Sequence, residues 1–445
     1  MIYKMLLVIF RFALKQYFKH INVFFEEKLP SDRPVLFVAN HQSAFMDAIV
    51  VCAQIKQQLH FVSRGESFDK SWKRWILSKF NMHPIYRKEH TPELTKKNPE
   101  MIQAFQNLLM SGKSILIFPE GISETKPRLN EIKTGAARIA LGTLDAGDQA
   151  PLLIPIGLNY TNPHQFRSEV TVNFGAPIDV AKYKEAFAKD ERATVQALTD
   201  EMTSELERLT LDIPEVELEE IVNSVKSIYE EELLKGDFIC PKEQRRVFNV
   251  RKELIEAARH FNFNAPFRLK HLVLHVEHYR KLLINYGVQD SWLRPNKNNE
   301  RQMMASNVVF LVLCFPVFLF GYLNHGMALF FSRRLTNKSV SRPDFRGSML
   351  LSFGVLFCII SYVAQTAGVY YFSGSWETSL LYLVSLPMVG KFSLVYLDFY
   401  KNVKAEWKRQ YFRESDEEVV EYLQQERDRL MSLLNGVRND YLSAR

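Results

Sequence analysis

The stretch Val35–Asp47, VLFVANHQSAFMD, decides the predicted fold. Five apolar residues are followed by Asn40 and His41, and Asp47 comes six positions after the histidine. A short apolar run that ends at polar residues is typical of a buried strand that leads into a binding site. An imidazole oriented by a carboxylate can take a proton from a hydroxyl group. The stretch therefore predicts a strand followed by an acid–base pair, His41 and Asp47.

Short apolar runs alternate with helical patterns between residues 33 and 214. The predicted strands are VLFVAN (35–40), LHFVSR (59–64), HPIYR (83–87), SILIFPE (114–120), LLIPIGLNY (152–160) and VTVNFGAPI (170–178). The predicted helices cover residues 44–57, 70–80, 98–111 and 134–146. This alternation predicts an α/β domain, with helices on a central sheet, over residues 30–215.

Residues 1–29 are predicted to form an amphipathic helix at the membrane interface. Lys4, Arg11, Lys15 and Lys19 fall on one helical stripe, and such a basic face suits lipid headgroups. The alternative is an ordinary helix packed on its own domain. Further along, residues 216–304 read as a charged helical region, and residues 401–445 read as a charged C-terminal helix.

Residues 305–400 are predicted to form a membrane region. Two segments, 348–371 and 379–399, are long and apolar enough to span a bilayer. The segment 307–331 is interrupted by Pro316, Gly321, Asn324, His325 and Gly326. It is either a kinked span or a re-entrant hairpin, of which we favour the hairpin. Five arginines and lysines between residues 333 and 346 indicate a cytoplasmic linker. With the hairpin, the α/β domain of this integral membrane protein lies on the cytoplasmic face.

Charge and cysteine content narrow the class of ligand. The formal net charge is +7 and the sequence pI is about 9.0, which suits an anionic bilayer or a phosphorylated ligand. The basic residues alternate with acidic ones and form no aromatic-studded patch, which argues against nucleic acid. The four cysteines form no CxxC pair, and so indicate neither a disulfide framework nor a zinc site. His271, His275 and His278 read as a polar helix face rather than as metal ligands.

Four sequence blocks together resemble those of the glycerolipid acyltransferase family. The blocks are NHQSAFMD (40–47), HPIYR (83–87), FPEGISE (118–124) and LLIPIGLNY (152–160). Members of this family acylate glycerol-3-phosphate and lysophospholipids. The resemblance covers about residues 30–215 and implies a central mixed sheet flanked by helices.

The resemblance implies roles for individual residues. His41 corresponds to the catalytic base and Asp47 to its orienting partner, with five intervening residues where most members have four. Acceptor binding is assigned to Arg87, which would hold a phosphate, and to Glu120, Gly121 and Ser123 of the third block. Pro155 falls in the fourth block, linked to packing or donor binding, and Gly135 matches a glycine that precedes a helix.

The third block lacks an expected arginine. Members commonly read Glu-Gly-Thr-Arg, whereas Ile122 and Ser123 fill the last two positions here. Lys126, Arg128 or Lys133 are candidates for the missing charge, and each reads equally well as solvated surface. The longer spacing and the serine resemble the branch that acts on glycerol-3-phosphate or dihydroxyacetone phosphate.

The resulting expectation is a membrane-bound O-acyltransferase of phospholipid biosynthesis. Its partners would be the bilayer, an acyl-CoA or acyl-carrier-protein thioester and a glycerol phosphate, with no metal and no cofactor, since a thioester is already activated. One alternative is a 1-acyl-glycerol-3-phosphate or other lysophospholipid acyltransferase. Another is a non-catalytic lipid-binding scaffold. The acyl chain length and the oligomeric state stay open.

Overall fold

The computed structural model of the chain describes residues 2–30, 33–86, 93, 96, 98–146, 150–235, 243–294 and 300–444. The chain forms two compact units. The first unit comprises Met1–Pro214 and Leu335–Val355, and the second comprises Glu215–Arg334 and Leu356–Arg445. No sequence pattern predicts that residues 335–355 belong with the α/β domain.

The first unit is built on a mixed sheet of eight strands among its described residues. The strands are β1 (His20–Phe25), β2 (Val35–Ala39), β3 (Leu59–Arg64), β4 (Met82–Ile85), β5 (Ser114–Ile117), β6 (Leu152–Tyr160), β7 (Glu169–Phe174) and β8 (Ile178–Asp179). They follow the order β1-β7-β6-β2-β5-β3-β4, with β8 paired to β6. The strands from β6 to β4 run parallel to one another, whereas β7 runs antiparallel to β6.

Strand β2 lies at the centre of the sheet, hydrogen-bonded to β5 and β6. All five of its residues are buried, because parallel strands in such a sheet are covered on both faces. Val35, Phe37 and Ala39 enter one hydrophobic core, and Leu36 and Val38 enter the other. This alternation places the residues that follow β2, starting with Asn40, at the carboxyl edge of the sheet.

Helices cover both faces of the sheet. Those of the first unit are α1 (Ile2–Tyr17), α2 (Ala44–Gln54), α3 (Ser71–Lys79), α4 (Asn98–Met110), α5 (Gly135–Ala146), α6 (Lys184–Lys189) and α7 (Glu191–Leu209), with 3-10 turns at Gly65–Phe68 and Val180–Tyr183. Helices α1 and α2 share one core with the sheet, and α4, α5 and α7 share the other. The predicted α/β class, with its mixed sheet and flanking helices, is confirmed.

The N-terminal segment differs from the predicted single helix over residues 1–29. Helix α1 ends at Tyr17, and residues 20–25 form β1, which pairs with β7. Leu14, Tyr17 and Phe18 are buried in the core of the first unit. Arg11, assigned to a headgroup-facing stripe, instead donates hydrogen bonds to the Ala53 and Ile55 carbonyls at the end of α2, each over 2.9 Å. The C-terminal half of α1 therefore packs on its own domain.

The second unit is helical throughout its described residues. Its helices are α8 (Val216–Lys235), α9 (Glu243–Asn264), α10 (Pro266–Asn285), α11 (Asp290–Leu293), α12 (Glu300–Ser339), α13 (Pro343–Ser373), α14 (Trp376–Ser415) and α15 (Glu417–Ser443), of which α12 and α13 extend into the first unit. The C-terminal helix α15 buries Leu423, Leu430 and Leu434 against α8 and α10.

Three helices are long and apolar enough to cross a membrane, over Met304–Ser339, Pro343–Ser373 and Trp376–Glu414. The favoured hairpin over 307–331 is wrong, because α12 runs unbroken from Glu300 to Ser339. The residues that suggested a break make contacts between helices. Gly321 lies so close to Val389 that an added Cβ would come within 2.5 Å of its carbonyl oxygen, and the Asn324 side chain accepts a hydrogen bond from Tyr382 over 2.5 Å.

Candidate active site

The end of β2 and the start of α2 bring His41 and Asp47 together. The His41 Nδ1 atom lies 2.8 Å from Asp47 Oδ2. The Asp47 side chain is fully buried, whereas the His41 side chain keeps 17% of its surface exposed. Because an ionised carboxylate only accepts hydrogen bonds, this contact places the hydrogen on Nδ1 and leaves a lone pair on Nε2. Within the described part of the chain, no side chain hydrogen-bonds to His41 Nε2.

Both oxygens of Asp47 are held in place by further donors. Oδ2 also accepts the backbone N–H of Ser43 over 2.8 Å, and Oδ1 accepts the Tyr160 hydroxyl over 2.7 Å. Burial, followed by the charge of Asp47, raises the pKa of Tyr160 well above its ordinary value, so the phenol stays protonated and donates. The carboxylate therefore cannot rotate away from the imidazole without breaking these bonds.

The His41 backbone and ring are positioned by the third sequence block. Glu120 Oε1 accepts the His41 N–H over 2.7 Å, and Oε2 accepts the backbone and side-chain N–H groups of Asn130 over 3.1 and 2.7 Å. Phe118 stacks on the imidazole with ring centroids 4.1 Å apart. The Glu120 side chain, predicted to bind the acceptor, thus has both oxygens engaged by the protein and acts here on the position of His41.

Gly121 and Lys133 lie together beside this loop. Gly121 has φ +71°, a conformation that favours glycine, and an added Cβ would lie 3.6 Å from Lys133 Nζ. Lys133 is exposed and forms no ion pair with a described residue. Lys126, by contrast, pairs with Glu124 over 2.9 Å, and the Nε of Arg128 is buried. Of the three candidate cations, Lys133 is the one whose ammonium group is open to an anion.

Ser123 is buried and turned away from solvent. Its hydroxyl donates to Asp344 Oδ2 at the start of α13, and only 2% of the residue is exposed. The Ser123 hydroxyl is thus engaged within the protein, and its predicted contact with an acceptor stays a prediction. Arg87 lies outside the described residues, so its predicted role stays a prediction.

Pro155 and Gly135 are the other two residues to which the resemblance drew attention. Pro155 lies in β6 opposite Val38 of β2, and its carbonyl accepts the Gly175 N–H over 2.9 Å. This packing position is consistent with one of its two predicted roles. Gly135 begins α5, and an added Cβ there would meet no atom within 4 Å.

Several residues that position the pair were not singled out from the sequence. The Asn40 side chain forms two hydrogen bonds with the Leu158 backbone, over 3.0 and 2.6 Å, and so joins the end of β2 to β6. Tyr160 ends the fourth block, which is the signal that could have drawn attention to it. No local pattern marks Asp344 or Ser348, because Asp344 lies 221 residues from its partner Ser123 and Ser348 lies 302 residues from Met46.

The family model described as Acyltransferase matches residues 20–159, which include His41, Asp47 and Glu120. This chain carries an acyltransferase domain. Within the described residues, no group of three histidines, cysteines or acidic residues is arranged to hold a metal ion. The three long apolar helices outside the acyltransferase domain are consistent with membrane association.

Curated relatives bear names from two kinds of glycerolipid acyltransferase. An uncharacterised acyltransferase from Schizosaccharomyces pombe is 30% identical over 204 residues, which are 44% of this chain and 29% of that protein. Glycerol-3-phosphate O-acyltransferase 2 from Saccharomyces cerevisiae is 26% identical over 53% of this chain and 31% of its own length. A 1-acyl-sn-glycerol-3-phosphate acyltransferase from Bacillus subtilis is 26% identical over 42% of this chain and 88% of its own length. The chain thus spans less than a third of the two yeast proteins.

Proposed function

We propose that this protein transfers a fatty acyl group from an acyl-CoA or acyl-carrier-protein thioester to a hydroxyl of glycerol-3-phosphate or dihydroxyacetone phosphate. The observation that carries the proposal is the 2.8 Å contact between His41 Nδ1 and Asp47 Oδ2. It is supported by the exposed side chain of Lys133, which lies next to Gly121. An acceptor that carries a hydroxyl and a phosphate needs a base to activate the hydroxyl and a cation to bind the phosphate.

The mechanism follows from the tautomer that Asp47 selects. His41 Nε2 takes the proton of the acceptor hydroxyl as its oxygen attacks the thioester carbonyl. The C–O bond forms, the C–S bond breaks, and the leaving thiolate takes the proton from the imidazolium. Asp47 stabilises the imidazolium while it exists. Positioned general base catalysis of this kind contributes about 10²–10⁴-fold to the rate.

Phosphate binding is assigned to Lys133 together with Arg87. Lys133 is the open cation beside the Gly121 turn, and a guanidinium at position 87 would complete a two-cation site. Lys133→Gln should raise the KM for the acceptor and leave the KM for the donor unchanged. Lys126→Gln removes a lysine that is already paired with Glu124 and serves as the matched control.

An assay with a panel of alcohols identifies the acceptor. Purified protein receives one acyl-CoA together with glycerol-3-phosphate, dihydroxyacetone phosphate or lysophosphatidic acid, and product is quantified against His41→Ala. Transfer to a glycerol phosphate supports the proposal. Transfer to lysophosphatidic acid alone assigns the second candidate, a 1-acylglycerol-3-phosphate acyltransferase, which the name of the Bacillus relative favours. Equal turnover by His41→Ala would refute the mechanism.

We place the acyltransferase domain on the cytoplasmic face. The basic linker leads into residues 335–355, which belong to the first unit, and Asp344 contacts Ser123 directly. Linker and site therefore share one side of the membrane, and the basic residues favour the cytoplasmic side. In this arrangement α12 does not pass from one face of the membrane to the other, although it is apolar enough to do so. In a variant without native cysteines, exposed positions Glu100 and Lys338 changed to cysteine should both react with an impermeant maleimide from the cytoplasmic side. Labelling from opposite sides would contradict this orientation.

A further inference from the structure

The first turns of α13 contact the loop that joins His41 to Asp47. The Ser348 hydroxyl donates to the Ser43 carbonyl over 3.2 Å and accepts the Met46 N–H over 3.1 Å. The same N–H also donates to the Ser43 carbonyl over 2.8 Å, so Ser348 adds to a bond that already closes this turn. Ser348 is fully buried. One side chain therefore bridges two backbone groups that flank Ala44 at the start of α2.

Ala44 has an unfavourable backbone conformation. Its φ is +37°, a region in which a residue with a Cβ is strained by about 1–3 kcal/mol. Such a conformation persists only where the surrounding structure holds it. The two groups bonded by Ser348 lie on either side of Ala44, and Asp47 lies in the same first turn of α2.

The start of α13 also contacts the third sequence block. Asp344 Oδ2 accepts the Ser123 hydroxyl, and Arg342 donates to the same carboxylate over 2.7 Å, which fixes its orientation. Phe345 packs edge-on against Phe45 with centroids 5.6 Å apart. Gly347 lies against Pro163, whose carbonyl oxygen would be 2.2 Å from an added Cβ. The start of α13 thus packs closely against the His41–Asp47 loop and against the third sequence block.

We infer that Ser348 is a positioning residue for the reaction, and that the start of α13 holds the strained His41–Asp47 loop in its active conformation. This inference rests on the proposed function for its kinetic consequence. Because α13 continues as a helix apolar enough to cross a bilayer, the catalytic geometry depends on the docking of a candidate membrane helix.

Backbone amide exchange tests the contact without any substrate. In full-length protein in detergent, Ser348→Ala should speed exchange at Met46 by up to about tenfold. The Met46 N–H loses its bond to Ser348 and keeps the 2.8 Å bond to the Ser43 carbonyl. Peptides from β2 and β6 should keep their protection, which shows that the variant is folded. Ser352→Ala is the matched control, since Ser352 bonds only to the Ser348 carbonyl within α13. Unchanged exchange at Met46 would overturn the inference.

Kinetics and a second variant test the role in catalysis. Ser348→Ala should lower kcat about tenfold with little change in either KM, because the loop and not a substrate contact is altered. Ala44→Gly relieves the backbone strain and should restore most of the lost kcat when combined with Ser348→Ala. Failure of this rescue would contradict the strained-loop account. If the wild type acylates no acceptor, the proposed function fails. The amide-exchange experiment still tests whether Ser348 stabilises the His41–Asp47 loop, because it needs no substrate.

An independent observation concerns α3, whose sequence is SWKRWILSK. Trp72 and Trp75 are three residues apart on one side of the helix and are 60% and 64% exposed. Lys70, Lys73, Arg74 and Lys79 surround them, with Lys73 and Lys79 near the two indole rings. Exposed tryptophans amid cations suit the headgroup region of an anionic bilayer, where indole rings sit between lipid and water.

We propose that α3 docks the acyltransferase domain on an anionic phospholipid surface. The full chain with Trp292, Trp376 and Trp407 changed to phenylalanine retains only these two indoles. Its emission should shift to the blue and be quenched by brominated lipid in vesicles containing phosphatidylglycerol. Changing the four cations to glutamine should abolish the quenching. No quenching in the parent variant, or protection of the indoles by an acidic carrier protein instead of lipid, would overturn the proposal.

Discussion

Tyr160 donates a hydrogen bond to Asp47 Oδ1 over 2.7 Å. This bond joins the last residue of β6 to the first turn of α2. The opposite oxygen of the same carboxylate contacts the His41 imidazole. The orientation of the proposed base is thus determined by residues from three separate sequence blocks, because Glu120 of the third block holds the His41 backbone.

Replacing Tyr160 by phenylalanine should lower kcat less than tenfold. The substitution removes one of the hydrogen bonds to Asp47, a loss of about 1 kcal/mol, while the Ser43 N–H still holds Oδ2. Steady-state kinetics with the acceptor identified by the panel measures the effect. A fall of a thousandfold or more would show that the phenol acts in the chemical step itself.

Asp47→Asn should lower kcat by about 10²–10⁴-fold and leave both KM values nearly unchanged. An amide has no charge with which to stabilise the imidazolium. Its NH₂ group would also face either the Tyr160 hydroxyl or the Ser43 N–H and the His41 ring, all of which bond to a carboxylate oxygen here. The thermal midpoint of the purified variant serves as the control for folding. A variant that retains wild-type kcat would remove Asp47 from the mechanism.

Glu120→Gln should change how stability depends on pH. Burial raises the pKa of Glu120 from 4.5 to about 6, against hydrogen bonds from His41 and Asn130 that lower it. Between these two values the unfolded chain releases this proton before the folded chain does, so the wild type loses stability as pH rises. Relative to the glutamine variant, the wild type should lose about 2 kcal/mol over this window, and the difference should be constant above it. Chemical denaturation of both proteins from pH 4 to 8 measures this; a difference that grows towards higher pH only above 7 would assign the effect elsewhere.

Arg11→Gln should destabilise the first unit by about 1–3 kcal/mol, because two hydrogen bonds from a charged group to the end of α2 are weakened. Lys15→Gln, an exposed position on the same helix, is the matched control and should leave the thermal midpoint unchanged. Equal, small effects of the two substitutions would favour the interfacial interpretation of this basic stripe over the packed one.

Hydrophobic periodicity was sufficient to predict the centre of the fold. Strand β2 is buried on both faces, so its residues form a continuous apolar run, and the predicted helices at 98–111 and 134–146 agree with α4 and α5 to within a residue. The meeting of His41 with Asp47 was also predictable, because both lie within one strand–helix connection.

Contacts that depend on tertiary packing were not predictable in this way. Arg11 on a helical stripe looks the same whether it meets lipid or the carbonyls of α2. Pro316 suggested a break in α12, yet long apolar helices tolerate proline where neighbours satisfy nearby backbone groups. In this case Tyr396 donates to the Leu311 carbonyl over 2.9 Å and Ser393 to that of Phe318 over 3.1 Å. The hydrogen bonds of Ser348 could not be predicted from local sequence, because no pattern near residue 348 indicates that it contacts residue 43.

The separation of 302 residues between Met46 and Ser348 has a consequence for biosynthesis. A ribosome adds about 5–20 residues per second, so the strained loop waits on the order of 15–60 s before its bridging serine has been made. Once residue 120 has been made, the nascent chain contains His41, Asp47 and Glu120 but still lacks Ser348, which bonds to Ser43 and Met46 in the folded protein. Under the proposed function, competence for ester formation would thus arrive only when translation has delivered α13, a helix long and apolar enough to cross a membrane.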